Sequence, residues 1–319
     1  MKKHLYLIAT ISLSLTLTLL LAGCMAESDT DSPVLYEPVV EQATPEPTYV
    51  PDGLEHPEEH ETDYTDEYEA EPYYDHEPDE YLDYVYIDDN YFELYRIEGT
   101  ADLSSDMWER MVDWRTNAVL LAERHRDSVV INRNPNAPVV YLTFDDGPDP
   151  VNTVSVINTL IEHDVSATFF FLGENIRRHP EVVMMAYEAG FTIGLHGYTH
   201  TSFRLLSDEE IIAELNETND LLEYITGSRA TTMRPPYGAI GDEEVEVIRN
   251  LDLTIYLWSL DTLDWAQTEA TEILRNIKEY TRPGEIILMH AFSGQRLVPE
   301  ILSEIIVFLL DEGFDIRAL

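Results

Sequence analysis

A chain of 319 residues is long enough for one large domain or two of ordinary size. It carries 62 acidic against 19 basic residues, which gives a formal net charge of −43. Phosphate polymers and anionic membrane surfaces repel a chain of this charge, which argues against a nucleic-acid-binding function.

The N-terminus has the pattern of an export signal. Lys2 and Lys3 precede an apolar run over 5–22, which predicts either a cleaved signal or an uncleaved transmembrane anchor. The run ends in LAGC, which resembles a bacterial lipobox, where small residues before a cysteine allow cleavage and lipidation of its thiol. This cysteine, Cys24, is the only one in the chain, so a disulfide framework is excluded. We therefore predict that residues 1–24 are a lipoprotein signal peptide and that lipid on Cys24 holds the protein at the outer face of the cell membrane.

Residues 25–100 have the composition of a disordered tether. Positions 25 to 95 contain 24 Asp or Glu residues and no Lys or Arg, together with 11 of the 19 tyrosines and frequent prolines. Such a segment cannot bury enough apolar surface to offset its chain entropy, and its charges repel one another. We interpret it as an extended spacer; binding of divalent cations or of a cationic wall polymer is the alternative.

Order is predicted to begin near residue 103, with a helical lead-in over 101–136. Asp106 and Glu109 have the spacing of a capping box, which predicts a helix over about 106–125. Apolar residues at helical spacing predict the face that packs on the rest of the domain: Trp108, Met111, Val112, Val119 and Ala122.

From residue 137 to 319, strand and helix patterns alternate. Strands are predicted over 139–144, 167–171, 192–195, 231–233, 254–258, 285–289 and 314–317. Amphipathic helices are predicted over 152–163, 180–189, 207–226, 242–250, 268–281 and 297–311. This alternation predicts an α/β fold with a parallel sheet covered by helices. Seven strands favour a distorted (β/α)7 barrel, and an open doubly wound sheet is the alternative.

Polar residues follow five of the predicted strands. In parallel β/α folds the carboxyl ends of the strands form the functional face, so five clusters at strand ends indicate one site. In strand order they are Asp145 and Asp146; His196 and His200; Arg234 and Tyr237; Asp261, Asp264 and Trp265; and His290.

Three of these residues are suited to a metal ion. His196 and His200, four positions apart, can converge on one cation, and Asp146 would complete a three-ligand site with an open position. No Glu follows His196, so this is not the HExxH arrangement of metalloproteases. The ligand set suits Zn²⁺, with Co²⁺ or a similar ion as the alternative. Such an ion lowers the pKa of a water molecule and polarises a carbonyl under attack.

The remaining polar residues suit proton transfer around such an ion. Asp145 is free to act as a general base, and His290, from another strand, can protonate a leaving group. Asp264 can hold a protonated imidazole and raise its pKa. Arg234 can hold Asp145 through a bidentate contact.

Residues 139–319 resemble the polysaccharide deacetylase domain, the NodB-homology domain of carbohydrate esterase family 4. The motifs that carry this resemblance occur in order: TFDDGP (143–148), HGYTH (196–200), RPPYG (234–238), DTLDW (261–265) and LMH (288–290). The resemblance implies a distorted (β/α)7 barrel and an acetyl-removing hydrolase. Two residues depart from the family pattern: Gly197 stands where Ser or Thr is usual, and Ala291 stands where a carboxylate is common.

The resemblance also implies a role for each matching residue. Tyr237 would offer its backbone N–H to the oxyanion, while Trp265 and Leu288 would line the groove for the acetyl methyl group. The implied proton carriers and their supports are Asp145 as base, Arg234 beside it, His290 as acid and Asp264 tuning it; the implied metal ligands are Asp146, His196 and His200.

We therefore expect metal-dependent hydrolysis of acetyl groups on N-acetylated sugars of an extracellular polysaccharide, either N-acetylglucosamine in peptidoglycan or chitin-type oligomers. An O-acetyl esterase acting on xylan is one alternative, since the same attack by water cleaves esters. A carbohydrate-binding lipoprotein without turnover is the other, and the joint presence of base, ligands and acid argues against it. The expected partners are the acetylated polysaccharide and, through lipid at Cys24, the membrane; the sequence does not indicate an oligomeric state.

Overall fold

The computed structural model describes residues 84–87, 92–95 and 99–319. The chain divides into two units, Met1–Glu71 and Pro72–Leu319, and the first lies wholly outside the described residues. The predicted signal peptide, Cys24 and most of the predicted tether are therefore also outside them. Among the described residues, no helix has the length and apolar character needed to cross a membrane.

Two short strands lie inside the range predicted to be a tether. β1 (Tyr84–Ile87) and β2 (Phe92–Tyr95) pair antiparallel, with Tyr84 opposite Tyr95. Their sequences, YVYI and FELY, are rich in the aromatic and β-branched residues that favour strands. The prediction of disorder over 25–100 therefore does not hold for these two segments.

The lead-in contains the predicted helix, α1 (Ser105–Arg124), but its start differs from the prediction. Ser104 is the N-cap, and its hydroxyl oxygen accepts a hydrogen bond from the Met107 N–H at 3.4 Å. The predicted capping box at Asp106 is therefore wrong. Since the helix begins one residue earlier, Asp106 lies in the first turn, where its charge interacts favourably with the helix dipole.

The packed face of α1 also differs from the prediction. Ala118, Leu121 and Ala122 are buried, but Val112 is 52% exposed. The orientation of the helix is set by Trp114, which packs against the hydrophobic core, and Val112 lies on a different face. After α1 the lead-in adds a strand that was not predicted, β3 (Val129–Val130).

The seven predicted strands and six predicted helices are present, with ends that differ by at most two residues. Together with one additional short strand, β9, the strands are β4 (Val139–Asp145), β5 (Thr168–Phe171), β6 (Thr192–Leu195), β7 (Thr232–Met233), β8 (Thr254–Tyr256), β9 (Leu260–Asp261), β10 (Ile286–His290) and β11 (Asp315–Arg317). The helices are α2 (Asn152–Glu162), α3 (Gly173–Arg178), α4 (Pro180–Glu188), α5 (Asp208–Thr226), α6 (Asp242–Arg249), α7 (Ala270–Tyr280) and α8 (Leu297–Asp311). The short elements α3 and β9 were not predicted.

The order of the strands confirms a distorted barrel. They run β3-β8-β7-β6-β5-β4-β10-β9, with β11 also on β4, and every pairing in this sheet is parallel. From β4 to β8 the chain moves one strand at a time in a single direction, and β10 then returns to the other edge of β4. Because the sheet is curled, this step continues the circuit around the barrel, whereas in an open doubly wound sheet it would be a reversal of direction. The sheet is curled, and no pairing between β3 and β9 closes it among the described residues.

The inner strands are hydrophobic on both faces. All four residues of β5, TFFF, are buried, and Phe169 stacks against Phe144 of β4 with ring centroids 5.3 Å apart. Parallel strands covered on both sides have such continuous apolar sequences. The helices that cover them include α5, whose predicted capping box is confirmed: Ser207 and Glu210 each accept from the other's backbone N–H. Polar residues are thus left for the strand ends.

The segment before α1 is fixed to the loop after β9. Asn276 of α7 is fully buried, and its Oδ1 accepts hydrogen bonds from the N–H and hydroxyl of Thr100, at 3.1 and 3.0 Å. Its Nδ2 donates to the carbonyl oxygens of Thr100 and Thr262, both at 3.0 Å. Thr100 is therefore anchored to the barrel ahead of the predicted start near residue 103, because one amide side chain satisfies backbone groups of both segments.

We predict that Asn276→Ala lowers the free energy of unfolding by about 1–3 kcal/mol, because it leaves backbone groups of Thr100 and Thr262 without partners. The measurement is urea denaturation of the purified protein. Asn216→Ala, at an exposed position of α5, is the matched control and is expected to stay within about 0.5 kcal/mol of the wild type. Equal stability of both variants would contradict the prediction.

Candidate active site

Side chains from the carboxyl ends of five strands meet at one edge of the sheet. They come from the ends of β4 and β10 and from the segments after β6, β7 and β9. A cavity of about 530 Å³ opens there, and the site residues that line it are Asp145, Asp146, His196, His200, Tyr237, Trp265, Leu288 and His290. The sequence-predicted residues Arg234 and Asp264 lie behind this lining, since both are buried.

The three predicted metal ligands converge. One ligand atom from each of Asp146, His196 and His200 lies within 4.8 Å of the others. Asp146 Oδ1 is 3.3 Å from His196 Nε2 and 3.2 Å from His200 Nε2. This oxygen is buried, yet it accepts no well-formed hydrogen bond from the described residues. Here one carboxylate oxygen faces two imidazole nitrogens without such a bond, and a shared cation would satisfy all three atoms. The donor set therefore fits a divalent metal.

His196 is oriented for this task by its other ring nitrogen. Its Nδ1 lies 2.7 Å from the carbonyl oxygen of Arg234. Because a carbonyl only accepts hydrogen bonds, Nδ1 carries the proton, and in the neutral ring the lone pair is on Nε2. A backbone partner of this kind is what holds metal-binding histidines in one tautomer and one orientation.

The cluster is also electrostatically coupled. Burial opposes the charged form of Asp146, but the His196 and His200 imidazoles beside it hold the pKa of its carboxyl well below its usual range. Burial likewise opposes a charge on His196, while Asp145 and Asp146 beside it raise the pKa of its imidazole. Asp146 is therefore ionised throughout the range in which an enzyme works, as a metal ligand must be.

Asp145 is held by a fully buried arginine, but not in the predicted geometry. Arg234 Nη1 donates to Asp145 Oδ1 at 2.8 Å, and this is a single contact, so the predicted bidentate pair is wrong. The other donors of the guanidinium are engaged elsewhere: Nη1 also donates to Thr143 Oγ1, Nε to the Tyr256 carbonyl and Nη2 to the Leu257 carbonyl. The other carboxylate oxygen, Asp145 Oδ2, therefore faces His196, and the distance from Oδ2 to His196 Nε2 is 3.8 Å.

His290 and Asp264 form the predicted pair. His290 Nδ1 lies 2.8 Å from Asp264 Oδ1, and the His290 backbone N–H donates to Asp264 Oδ2, also at 2.8 Å. Burial opposes a charge on the imidazole, but the Asp264 carboxylate prevails and raises the pKa of His290 to about 10. Asp264 itself is 1% exposed and also accepts from the Trp265 N–H at 3.0 Å. The imidazole is therefore fixed in position and held in its charged form.

The three residues predicted to contact the acetyl group or the oxyanion all line the cavity, with different exposure. Leu288 is buried, whereas Trp265 and Tyr237 are 42% and 62% exposed. The Tyr237 ring meets the edge of His200, with ring centroids 4.5 Å apart. Two aromatic rings thus flank the opening, and an aliphatic side chain forms part of the floor.

The backbone of the site is strained at several points. Asp146, His200, Tyr237 and Leu263 have φ of 70°, 64°, 61° and 55°. Residues other than glycine in this left-handed region cost of order 1–3 kcal/mol each and persist only where the surroundings enforce them. Their concentration beside the cavity indicates that the placement of the site side chains outweighs the cost of these backbone conformations.

A residue that sequence reasoning missed supports the histidine loop. Glu214 of α5 accepts hydrogen bonds from the backbone N–H groups of Tyr198 and Thr199, the latter at 2.9 Å, and from the Thr199 hydroxyl at 2.7 Å. It braces the segment in which Gly197 replaces the usual hydroxyl residue. Gly197 itself has φ of 77°, which favours glycine. Glu214 is one of several acidic residues on α5, so only the fold distinguishes it.

The second departure from the family pattern is accommodated by packing. Ala291 is fully buried, its N–H donates to the Asp145 carbonyl at 3.1 Å, and its carbonyl accepts from the Thr153 hydroxyl. A carboxylate at this position would need its own buried partner.

Sequence reasoning placed Asp261 at the functional face but gave it no role. Asp261 lines the cavity, and its pKa is raised to about 6, mainly by burial. Its Oδ1 accepts from the Leu263 N–H at 2.8 Å and from the Trp265 indole N–H at 3.3 Å, so it orients the loop that carries Trp265. Sequence reasoning did miss the wall formed by one face of α1, which the helical spacing of its apolar residues could have indicated: Met107, Arg110, Met111 and Trp114.

The sequence matches a known family model and curated relatives. The family model described as "Polysaccharide deacetylase" matches residues 132–256. The chain is 33% identical over 183 residues to the peptidoglycan-N-acetylmuramic acid deacetylase PdaC of Bacillus subtilis, which covers 57% of this chain and 38% of that protein. It is 32% identical over 197 residues to a chitooligosaccharide deacetylase of Sinorhizobium fredii, which covers 57% of this chain and 91% of the relative. The chain thus spans little more than a third of PdaC.

Solved structures give the same fold. A peptidoglycan N-acetylglucosamine deacetylase is 31% identical with a TM-score of 0.59, covering 61% of this chain and 92% of that one. A CE4 family pseudoenzyme from Bacillus anthracis is 29% identical with a TM-score of 0.57, covering 60% of this chain and 67% of that one. With the motifs, the fold and relatives that it covers almost completely, this chain belongs to the polysaccharide deacetylase family.

Proposed function

We propose that the protein hydrolyses acetyl groups from N-acetylated sugars of an extracellular polysaccharide, with N-acetylglucosamine in peptidoglycan or chitin-type oligomers as the substrate. The observation that carries this proposal is the meeting of a held carboxylate, Asp145, a charged imidazole, His290, and a set of metal-ligand side chains in one cavity. The names of the relatives, which are deacetylases of peptidoglycan and chitin oligomers, support it.

Asp146, His196 and His200 would hold the metal, for which we propose Zn²⁺ because the site offers two nitrogen donors and one oxygen donor. A divalent cation supplies a Lewis acid for the acetamide carbonyl and lowers the pKa of water. The protein's own contribution here is the fixed Nε2 lone pair of His196 and the ionised carboxylate of Asp146.

Asp145 is the general base. Its Oδ1 is occupied by Arg234, so Oδ2, which faces the ligand cluster, takes the proton from the attacking water. Arg234 prevents the carboxylate from rotating away and supplies its counter-charge at a buried position. The Tyr237 N–H is proposed to stabilise the oxyanion that forms, and Leu288 and Trp265 to enclose the acetyl methyl group.

His290 is the general acid. Cleavage of an amide expels an amine, which must be protonated to leave, and an imidazolium can supply that proton. Nδ1 of His290 is bound to Asp264, so Nε2 is the nitrogen that delivers it. The raised pKa of His290 keeps the ring charged before the reaction.

We also propose that Cys24 is lipidated and that the protein acts from the outer face of the membrane. The lipobox-like sequence before the single cysteine supports this proposal. Metabolic labelling with a fatty acid is expected to mark the wild type and not Cys24→Ser. Absence of label from the wild type would favour an uncleaved anchor instead.

The metal and the base should be separable by substitution. His200→Ala is expected to lose bound metal and acetate release together. Asp145→Asn is expected to keep its metal but lose turnover by about 10²–10⁴-fold, because the amide preserves shape and cannot accept the proton. Mass spectrometry measures the metal content. Acetate release is measured on N-acetylglucosamine oligomers, peptidoglycan and acetylated xylan, each with and without chelator. Undiminished activity in chelator would refute the proposed function, and xylan as the sole substrate would favour the esterase.

The pH dependence should report the pair of Asp264 and His290. Activity needs a carboxylate at Asp145 and an imidazolium at His290, so the profile is bell-shaped. The pKa of His290 is raised, so the imidazolium is present at neutral pH and is lost as the pH rises through about 10. In Asp264→Asn, burial still opposes the charge while the largest attraction is gone, so the alkaline limb moves to lower pH.

The measurement is the pH–rate profile on one soluble acetylated oligomer, and the limb is an apparent value for the coupled site. Asp252→Asn, at an exposed position that does not line the cavity, is the control and should leave both limbs unmoved. An unmoved alkaline limb in a folded, metal-loaded Asp264→Asn protein would reject the role of this pair.

A further inference from the structure

One face of α1 forms a wall of the active-site cavity. Met107, Arg110, Met111 and Trp114 line it, at the spacing i, i+3, i+4 and i+7 that places side chains on one side of a helix. The family-model match begins only at residue 132, so this wall comes from outside it.

The wall is fixed in position by Trp114. Its ring stacks on Trp258 with centroids 4.3 Å apart, and its indole N–H donates to the Gly238 carbonyl at 3.1 Å. A Cβ at Gly238 would lie 2.7 Å from the Trp114 ring, so the close approach requires glycine there. Because Arg110 lies one turn before Trp114 on the same face, its position beside the cavity is fixed as well.

Arg110 differs from the other charged residues around the cavity. It is the one Lys or Arg among the described residues that line it, it is exposed, and within the described part of the chain it forms no ion pair or hydrogen bond. The lining carboxylates, in contrast, have partners: Asp145 has Arg234, Asp146 has the two histidines, and Asp261 has backbone and indole N–H groups. The guanidinium of Arg110 is thus available to a ligand.

We propose that Arg110 recognises a carboxylate on the glycan, so that α1 forms a subsite for an anionic substituent next to the acetamide that is cleaved. This inference rests on the proposed function and narrows its substrate to N-acetylated glycans that carry a carboxylate on the reacting sugar or on its neighbour, which argues against uncharged chitin-type oligomers. A guanidinium matches a carboxylate in shape and charge and can bind it through two parallel hydrogen bonds. The chain carries a net charge of −43 and therefore repels anionic polymers at long range, and a cation beside the site would offset this repulsion locally.

The test compares two soluble oligomers that differ only in charge. One carries an N-acetylated sugar with a free lactyl carboxylate, and the other is its N-methylamide. We expect the wild type to prefer the acid in kcat/KM, and this preference to decline as salt is added. Arg110→Gln should lower kcat/KM for the acid by about tenfold or more, while the value for the amide changes little. Arg110→Lys should retain part of the preference, because it keeps the charge without the planar fork.

Arg126→Gln is the matched control, since Arg126 is exposed and does not line the cavity, and it should retain the full preference. An equal loss for both oligomers in Arg110→Gln, or an unchanged ratio, would overturn the proposal. Release of acetate from both oligomers without preference by the wild type would also overturn it and would leave the proposed function intact. Failure of the metal-loaded wild type on both oligomers, on N-acetylglucosamine oligomers and on peptidoglycan would instead reject the proposed function itself.

Discussion

The buried guanidinium of Arg234 is the interaction on which the site and the barrel both depend. It is fully buried and forms hydrogen bonds with β4, with β8 and with the residue after β8. Its carbon lies 4.4 Å from the centre of the Phe170 ring on β5. A charge at this depth is tolerated only when it is paired and every donor is satisfied. Arg234 therefore fixes the relative positions of these strands, and Asp145 is the counter-charge that makes its burial possible.

This constraint explains how two adjacent carboxylates can coexist at the end of β4. Like charges side by side raise each other's pKa unless each has its own cationic partner. Asp145 is turned toward Arg234, while Asp146, with its left-handed backbone, faces His196 and His200. The change of backbone conformation between neighbours separates their side chains into two environments, one suited to proton transfer and the other to a metal.

The sequence predicted those features that local patterns determine. Strands of continuous apolar residues, the capping box at Ser207 and the polar residues at strand ends depend on neighbours in the chain, and they were found to within two residues. Apart from the cap of α1 and a few short elements, the features that were missed or wrong depend on long-range contacts. They include the single contact of Arg234, because backbone carbonyls take its other donors, and the brace from Glu214. The exposed Val112 belongs to the same class, since Trp114 and Trp258 decide which face of α1 is packed.

The lead-in is structurally continuous with the barrel, and this has a consequence for the chemistry. β3 pairs with β8, Trp114 stacks on Trp258, and Asn276 joins Thr100 to the loop that carries Asp264 and Trp265. Trp258 in turn lies over the Arg234 guanidinium, with the guanidinium carbon 5.6 Å from its ring centre. A path of direct contacts therefore runs from α1 through Trp258 and Arg234 to Asp145. Because the wall and the base are held by the same buried layer, a glycan bound by α1 as proposed would be positioned relative to Asp145 through these contacts.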